Sequence, residues 1–290
     1  MKILGTGLSG LVGTRLIELL SSEYNFEDLS LATGIDITNK EQVFQKIKDS
    51  NAPVVLHLAA KTYVDGCEED KIFGKNGEAW KINVEGTRNI VDACSKASKK
   101  LIYFSTDFIF DGRNPPTGGY TEEDIPDPIN WYATTKYEGE KIINRSNLNW
   151  TIIRLAYPYR ANFVKKDFVR SLIQKLQAGE NLKMVTDHVM TPTFIDDIAL
   201  ALDVLIKENA LGIFHVVGSQ FVTPYEAAIK IADFFNFDKS LISTTTRDIY
   251  FKGHAQRSFR LALKNDKIAK LGVKMKTFDE GLIELKKQII

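Results

Sequence analysis

The stretch that most limits what this chain can fold into is its beginning. Lys2-Ile3-Leu4 runs into Gly5-Thr6-Gly7-Leu8-Ser9-Gly10-Leu11-Val12-Gly13, and Thr14 to Leu20 follows with apolar residues at helical spacing. A short strand, a glycine-rich turn and an amphipathic helix open a β-α-β unit, which commits the chain to a parallel sheet wrapped by helices. Gly7, Gly10 and Gly13 let backbone approach a pyrophosphate, and the first-turn N–H groups at Leu11 and Val12 receive its charge. A dinucleotide site is therefore expected here.

Strand and helix go on alternating. Asp28 to Thr33 reads as the second strand, and its end is where an acid holds the ribose 2′-hydroxyl of NAD. That position carries Thr33 or Gly34, with no arginine for an NADP 2′-phosphate, so the coenzyme stays open between NAD and NADP. Asp36-Ile37 either reaches the adenine or, through Asp36 or Thr38, caps the helix beginning near Lys40. Pro53 to Ala60 is an almost continuous apolar run, as for a strand buried on both faces. After Leu58, small Ala59 and Ala60 leave room for a ligand, while His57 reads as a core histidine with satisfied nitrogens. Glu78 to Ser98 reads as one long helix, in which Asn83 ties helix to loop, tunes a lysine or is an ordinary polar helix residue.

Leu101 to Asp107 and Trp150 to Leu155 supply the fourth and fifth strands, and between them Trp131-Tyr132-Ala133-Thr134-Thr135-Lys136 opens a helix. Tyr132 and Lys136 share one helical face, where an ammonium near the phenol favours the phenolate. With a hydroxyl from Thr106 at the strand end, this set suits interconversion of a carbonyl and an alcohol, the hydride coming from a bound nicotinamide. Arg113 to Pro128 is a loop long enough to cover such a site. Ala161 to Gly179 reads as a mostly amphipathic helix, and Arg257 and Arg260 flank Phe259, either gripping a diphosphate or pairing at the surface.

The fold class expected is α/β: a Rossmann-type doubly wound parallel sheet from residues 1–155 with returning segments near 191–217, and a smaller C-terminal substrate-binding lobe mainly from 156–290. The substrate is expected in the cleft between them. The formal charge of +1, from 38 basic and 37 acidic residues, recruits neither nucleic acid nor a membrane surface. Cys67, Cys94 and four histidines show no metal-ligand spacing, and no apolar run is long enough for a membrane span. Without a signal-peptide pattern, the expectation is a soluble cytoplasmic protein.

With the glycine loop, Leu58-Ala59-Ala60, Ser105-Thr106-Asp107 and Tyr132-x-x-x-Lys136 in this order, the chain resembles the extended short-chain dehydrogenase/reductases. Asp36-Ile37-Thr38, Thr62-x-Val64-Asp65-x-Cys67-Glu68, Ser105 through Gly112 and Thr191-Pro192-Thr193 narrow the resemblance to the dTDP-4-dehydrorhamnose reductases, over residues 1 to about 285. The resemblance implies NAD(P)H-dependent reduction of a nucleotide-linked 4-keto-6-deoxy sugar. Tyr132 would deliver the proton, Lys136 would lower its pKa and bind the nicotinamide ribose, and Thr106 would hold the keto oxygen.

The same resemblance implies cofactor contacts from Gly7, Gly10, Leu11, Val12, Gly13, Asp36, Ile37, Leu58, Ala59, Ala60, Lys61, Tyr132 and Lys136. It implies substrate contacts from Val64, Asp107, Phe108, Tyr157 and Arg257. Phe108 stands where related dehydratases carry a catalytic glutamate. Two positions depart from the reductase pattern: Tyr157 replaces a tryptophan, and Arg257-Ser258-Phe259-Arg260 replaces Arg-Pro-x-Asn-Ser. An epimerase that retains NAD, and a dinucleotide-binding regulatory subunit like that of methionine adenosyltransferase, are the alternatives. A homodimer is what the superfamily resemblance implies.

Overall fold

Every residue of the strands Val54–His57 and Lys100–Thr106 is buried, so the sheet that holds them is covered on both faces. The computed structural model describes residues 1–289. Its first part runs β1 (Lys2–Thr6), α1 (Leu11–Leu20), β2 (Asn25–Asp28), α2 (Lys40–Asp49), β3 (Val54–His57), α3 (Val64–Asp70), α4 (Glu78–Trp80), α5 (Thr87–Lys96), β4 (Lys100–Thr106), α6 (Trp131–Asn144) and β5 (Trp150–Leu155). There follow β6 (Pro158–Tyr159), α7 (Phe168–Gln177), β7 (Leu182–Val185), β8 (Thr193–Phe194), α8 (Ile195–Lys207), β9 (Gly212–His215), α9 (Pro224–Phe235), β10 (Ile242–Thr245), α10 (Arg247–Tyr250), α11 (Asp266–Ala269) and α12 (Phe278–Ile289).

The main sheet has the order β2-β1-β3-β4-β5-β9, with β1 parallel to both β2 and β3, and β3 parallel to β4. This is the expected Rossmann-type doubly wound sheet. The chain leaves β1 toward β2 and returns on the other side as β3, so the topological switch point lies between the carboxyl ends of β1 and β3.

The chain divides into two compact units. The first is Met1–Ile109, Pro126–Arg154 and Leu205–Phe214; the second is Phe110–Ile125, Leu155–Val204 and the chain from His215 onward. Of the stretch near 191–217 that was expected to return to the first part, Leu205–Phe214 belongs to the first unit. Leu4, Val55, Leu101 and Ile152 from the strands meet Ile47, Ile90 and Ile143 from the helices in the core of the first unit. In the second, β7 pairs with β10 and β6 with β8, over a core that includes Val169, Ile231, Phe278 and Leu282. Among the described residues no helix is long and apolar enough to cross a membrane.

Four local expectations are corrected. β2 ends at Asp28, because Ser30 and Thr33 form a capping box that starts a 3-10 turn over Leu31–Thr33, closed by Gly34 at φ 79°. The long helix is broken by a π-helical turn, Lys81–Gly86. There Gly86 makes way for Ile37, whose Cδ1 would lie 2.9 Å from a Cβ. The helix expected from Ala161 starts only at Phe168, capped by Asp167. Asn39, rather than Asp36 or Thr38, caps α2 by accepting from Gln42 N at 3.1 Å.

His57 sits at the end of β3 with both ring nitrogens occupied, as expected of a core histidine. Ala59 N donates to Thr6 Oγ1 at 3.1 Å, and Thr6 Oγ1 in turn donates to His57 Nδ1 at 2.7 Å. Thr87 Oγ1 gives its own proton to Asn83 O at 2.7 Å, so it accepts from His57 Nε2 at 3.0 Å and fixes the neutral tautomer. Burial takes the pKa down to about 3, with the Lys136 charge adding to the shift. Below pH 6.5 the unfolded chain binds a proton that the native one refuses until about pH 3, so the stabilisation is full above pH 6.5 and lost with acid. The stability deficit of His57→Gln, read by urea unfolding, is expected to shrink by about 1.4 kcal/mol per pH unit below that point.

Candidate active site

The glycine turn passes a direct test of fit for a dinucleotide. Gly7 has φ 66°, and a Cβ on it would lie 2.6 Å from Ala59 N, so β1 and β3 close on each other at the switch point only through a residue without a side chain. A Cβ on Gly13 would lie 2.6 Å from Leu8 Cα. Gly10 precedes α1 with no side-chain cap, and the first turn carries no acid, leaving the N–H ends of Leu11 and Val12 to an anion.

Asp28 was missed on sequence, and the shortened β2 reveals it. It closes the strand beside Gly5 in the register, the position from which an acid reaches a ribose hydroxyl. Ser30 Oγ donates to its Oδ2 at 2.5 Å, and its buried Oδ1 has no partner. The signal was in the sequence, as an acid just before the Ser30 cap.

Asp36 and Ile37 behave differently from each other. Asp36 Oδ1 accepts from Thr38 N at 2.8 Å and from Thr38 Oγ1 at 2.9 Å, which pins a tight turn. Ile37 is a core residue whose carbonyl accepts from Asn89 Nδ2 at 3.0 Å. Lys61 pairs with Glu78 at 2.5 Å. Its peptide is clamped by Asn83, whose Oδ1 accepts from Lys61 N at 2.8 Å while its Nδ2 donates to Lys61 O at 3.1 Å. Asn83 Nδ2 also donates to Thr135 Oγ1 at 2.9 Å, and Thr135 donates on to Tyr132 O at 2.8 Å. Asn83 therefore ties the π-turn both to the loop after β3 and to the helix bearing Tyr132.

Thr106, at the end of β4, and Tyr132 and Lys136, on α6, all belong to the first unit. Thr106 and Lys136 are buried, and Phe108 meets the Tyr132 ring edge-on at 6.2 Å. The expectation that Lys136 draws the phenol down is not met by this geometry. Lys136 Nζ donates to Phe104 O at 2.8 Å and lies 4.1 Å above the Tyr103 ring. Burial holds the Tyr132 phenol above its ordinary pKa; the Thr106 hydroxyl pulls it back in part, and Asp107 and Cys67 oppose ionisation further. Lys136 is itself brought down to about 7 by burial, against the pull of Glu140 one turn along the helix. Asp107, next to Thr106, is pushed up to about 7 by burial.

Val64 is the first residue of α3, and Cys67, three residues on, is held by its thiol 3.6 Å from Lys61 O. Tyr157 and Arg257 belong to the second unit. Tyr157 has φ 42° and its hydroxyl is 2.9 Å from His188 Nε2, while Arg257 donates to Ala255 O at 2.7 Å and stacks on Phe251 at 4.9 Å. The Arg247 guanidinium lies 3.6 Å from the ring centre of Phe259. The Arg113–Pro128 loop was expected as a cover. Residues 110–125 instead belong to the second unit, where Tyr120 stacks on Phe110 at 4.2 Å and its N–H donates to Ala262 O at 2.7 Å.

A Rossmann-type sheet with a glycine turn at its switch point and a Tyr-x-x-x-Lys helix beside β4 defines the class of the extended short-chain dehydrogenase/reductases. The chain belongs, within that class, to the dTDP-4-dehydrorhamnose reductase family: residues 1–289 match the family model for the RmlD substrate binding domain. It is 31% identical to methionine adenosyltransferase 2 subunit beta of Mus musculus, covering 98% of this chain and 86% of that one. It is 30% identical to dTDP-4-dehydrorhamnose reductase of Aggregatibacter actinomycetemcomitans, over 80% of this chain and 78% of that one. Among solved structures, dTDP-4-dehydrorhamnose reductase of Bacillus anthracis in complex with NADP superposes with a TM-score of 0.88 at 28% identity, covering 99% of each chain.

Proposed function

We propose that the protein is an NAD(P)H-dependent reductase of a nucleotide-linked 4-keto-6-deoxy sugar. The observation that supports this reading is the Thr106 hydroxyl beside the Tyr132 phenol, with Lys136 buried one turn along the same helix, in a fold whose glycine turn fits a dinucleotide. A nicotinamide dinucleotide held at the glycine turn of Gly7, Gly10 and Gly13 would supply the hydride that C4 of the sugar needs. Tyr132 then gives its proton to the C4 oxygen, and the high pKa that burial imposes keeps that proton in place until negative charge develops on the substrate. Thr106 holds the same oxygen. Lys136, whose pKa burial brings to about 7 against the pull of Glu140, would bind the nicotinamide ribose. Val64 and Phe108 line the sugar side within the first unit.

The test is oxidation of NADH and NADPH by purified protein with a panel of nucleotide-linked 4-keto-6-deoxy sugars, the dTDP form first. Substrate-dependent oxidation supports the reductase. Bound dinucleotide without turnover favours the second reading, a regulatory subunit, which rests on the similarity to methionine adenosyltransferase 2 subunit beta.

Asp28 bears on the coenzyme. Its carboxylate accepts from a ribose 2′-hydroxyl and repels a 2′-phosphate, so Asp28→Ala is expected to shift the kcat/KM ratio toward NADPH by about tenfold, as for loss of one charged hydrogen bond. An unchanged ratio would remove Asp28 from the site.

A further inference from the structure

Thr106 Oγ1 accepts from Phe108 N at 3.2 Å and stands 3.1 Å from Asp107 Oδ1. A hydroxyl has one proton to give, and an ionised carboxylate can only accept. With Asp107 charged, the Thr106 proton is committed to Oδ1 and none is left for the keto oxygen assigned to Thr106. The surroundings do not favour that charge. Asp107 is 3% exposed, and its Oδ2 has no hydrogen-bond partner. The groups that draw its carboxyl toward ionisation are the Thr106 hydroxyl and the N–H groups of residues 107 and 108, which burial outweighs. From α6 it faces the Tyr132 phenol, which Cys67 of α3 also faces; both carry pKa values above their ordinary ones and bring no positive charge. Lys136, on the same helix, spends its Nζ on Phe104 O.

We propose that Asp107 works as a neutral acid, donating its carboxyl proton to Thr106 Oγ1 so that the Thr106 proton is free to turn to the substrate carbonyl. Asp107 is then a positioning residue that acts through Thr106. It keeps its proton throughout turnover, and its neutrality also spares Tyr132 a fixed negative neighbour. The proposal rests on the reductase reading, since it needs an oxygen for Thr106 to hold. A buried carboxylic acid kept protonated to serve as a hydrogen-bond donor has a physical precedent in other active sites.

The experiment compares Asp107→Asn, which keeps an N–H donor without a titrating proton, with Asp107→Ala, which keeps neither. The wild-type kcat is expected to fall as pH rises from about 6 to about 8, Asp107→Asn to lose most of that fall, and Asp107→Ala to have a kcat at least about tenfold below Asp107→Asn. A fall that persists in Asp107→Asn belongs to Lys136 and overturns the proposal, as does a change confined to KM. Infrared difference spectra of wild type minus Asp107→Asn, taken without substrate near pH 6, should show a protonated carboxyl band; its absence overturns the proposal whatever the substrate. The band without turnover on any keto sugar would sink the reductase reading, and with it the role given to Thr106.

Discussion

Tyr132→Phe is expected to lower kcat by about 10³-fold or more, the size of a lost general acid, while cofactor affinity stays within about twofold. The phenol ring meets Phe108 edge-on, and its backbone carbonyl takes the Thr135 hydroxyl at 2.8 Å. Both contacts survive removal of one oxygen, so α6 and the Asn83 clamp keep their places. Single-turnover loss of nicotinamide absorbance, alongside dinucleotide titration, reads the two effects separately. Retained turnover would show that another group protonates the substrate, and equal loss of affinity would mark the hydroxyl as a cofactor contact first.

The largest effect on stability is expected at Arg154→Met. Arg154 on β5 and Glu140 on α6 form a fork, Nε to Oε1 at 3.1 Å and Nη2 to Oε2 at 2.9 Å, with side chains 2% and 4% exposed. Removing the arginine strands a buried carboxylate, which costs about 3–5 kcal/mol and lowers Tm by roughly 10 °C. Replacing both residues, as Arg154→Met with Glu140→Leu, should recover most of the loss, because the desolvated charge goes with its partner. Calorimetry of the three variants checks this, and a double variant no more stable than Arg154→Met would mean that the pair is not the source. Glu140 also raises the pKa of Lys136, so the ion pair links the packing of α6 on β5 to the charge of the site.

Much of this was legible because the signals are local. The glycine turn, the apolar run of β3 and the Tyr132–Lys136 spacing each declare an element from its own residues, and the sheet follows from their alternation. Asp28 was passed over although its signal was there, since its place at the strand end depended on where β2 stopped. That was decided by a Ser30–Thr33 capping box competing with the strand. The π-turn was hidden as well, because its sequence reads as ordinary helix until Asn83 must reach both Lys61 and Thr135. Ile37 looked like an adenine contact by its neighbours, but hydrophobic burial drew its side chain into the core.

The sequence by itself determined the fold class, the order of the elements and the three side chains on which the chemistry is proposed to rest, because backbone freedom, apolar period and helical spacing are properties of neighbouring residues. Only the tertiary structure decided the electrostatics of those side chains. Burial, a property of everything packed around a group, raised Tyr132, brought Lys136 and Asp107 to about 7, and sent the Lys136 ammonium to Phe104 O rather than to the phenol one turn away.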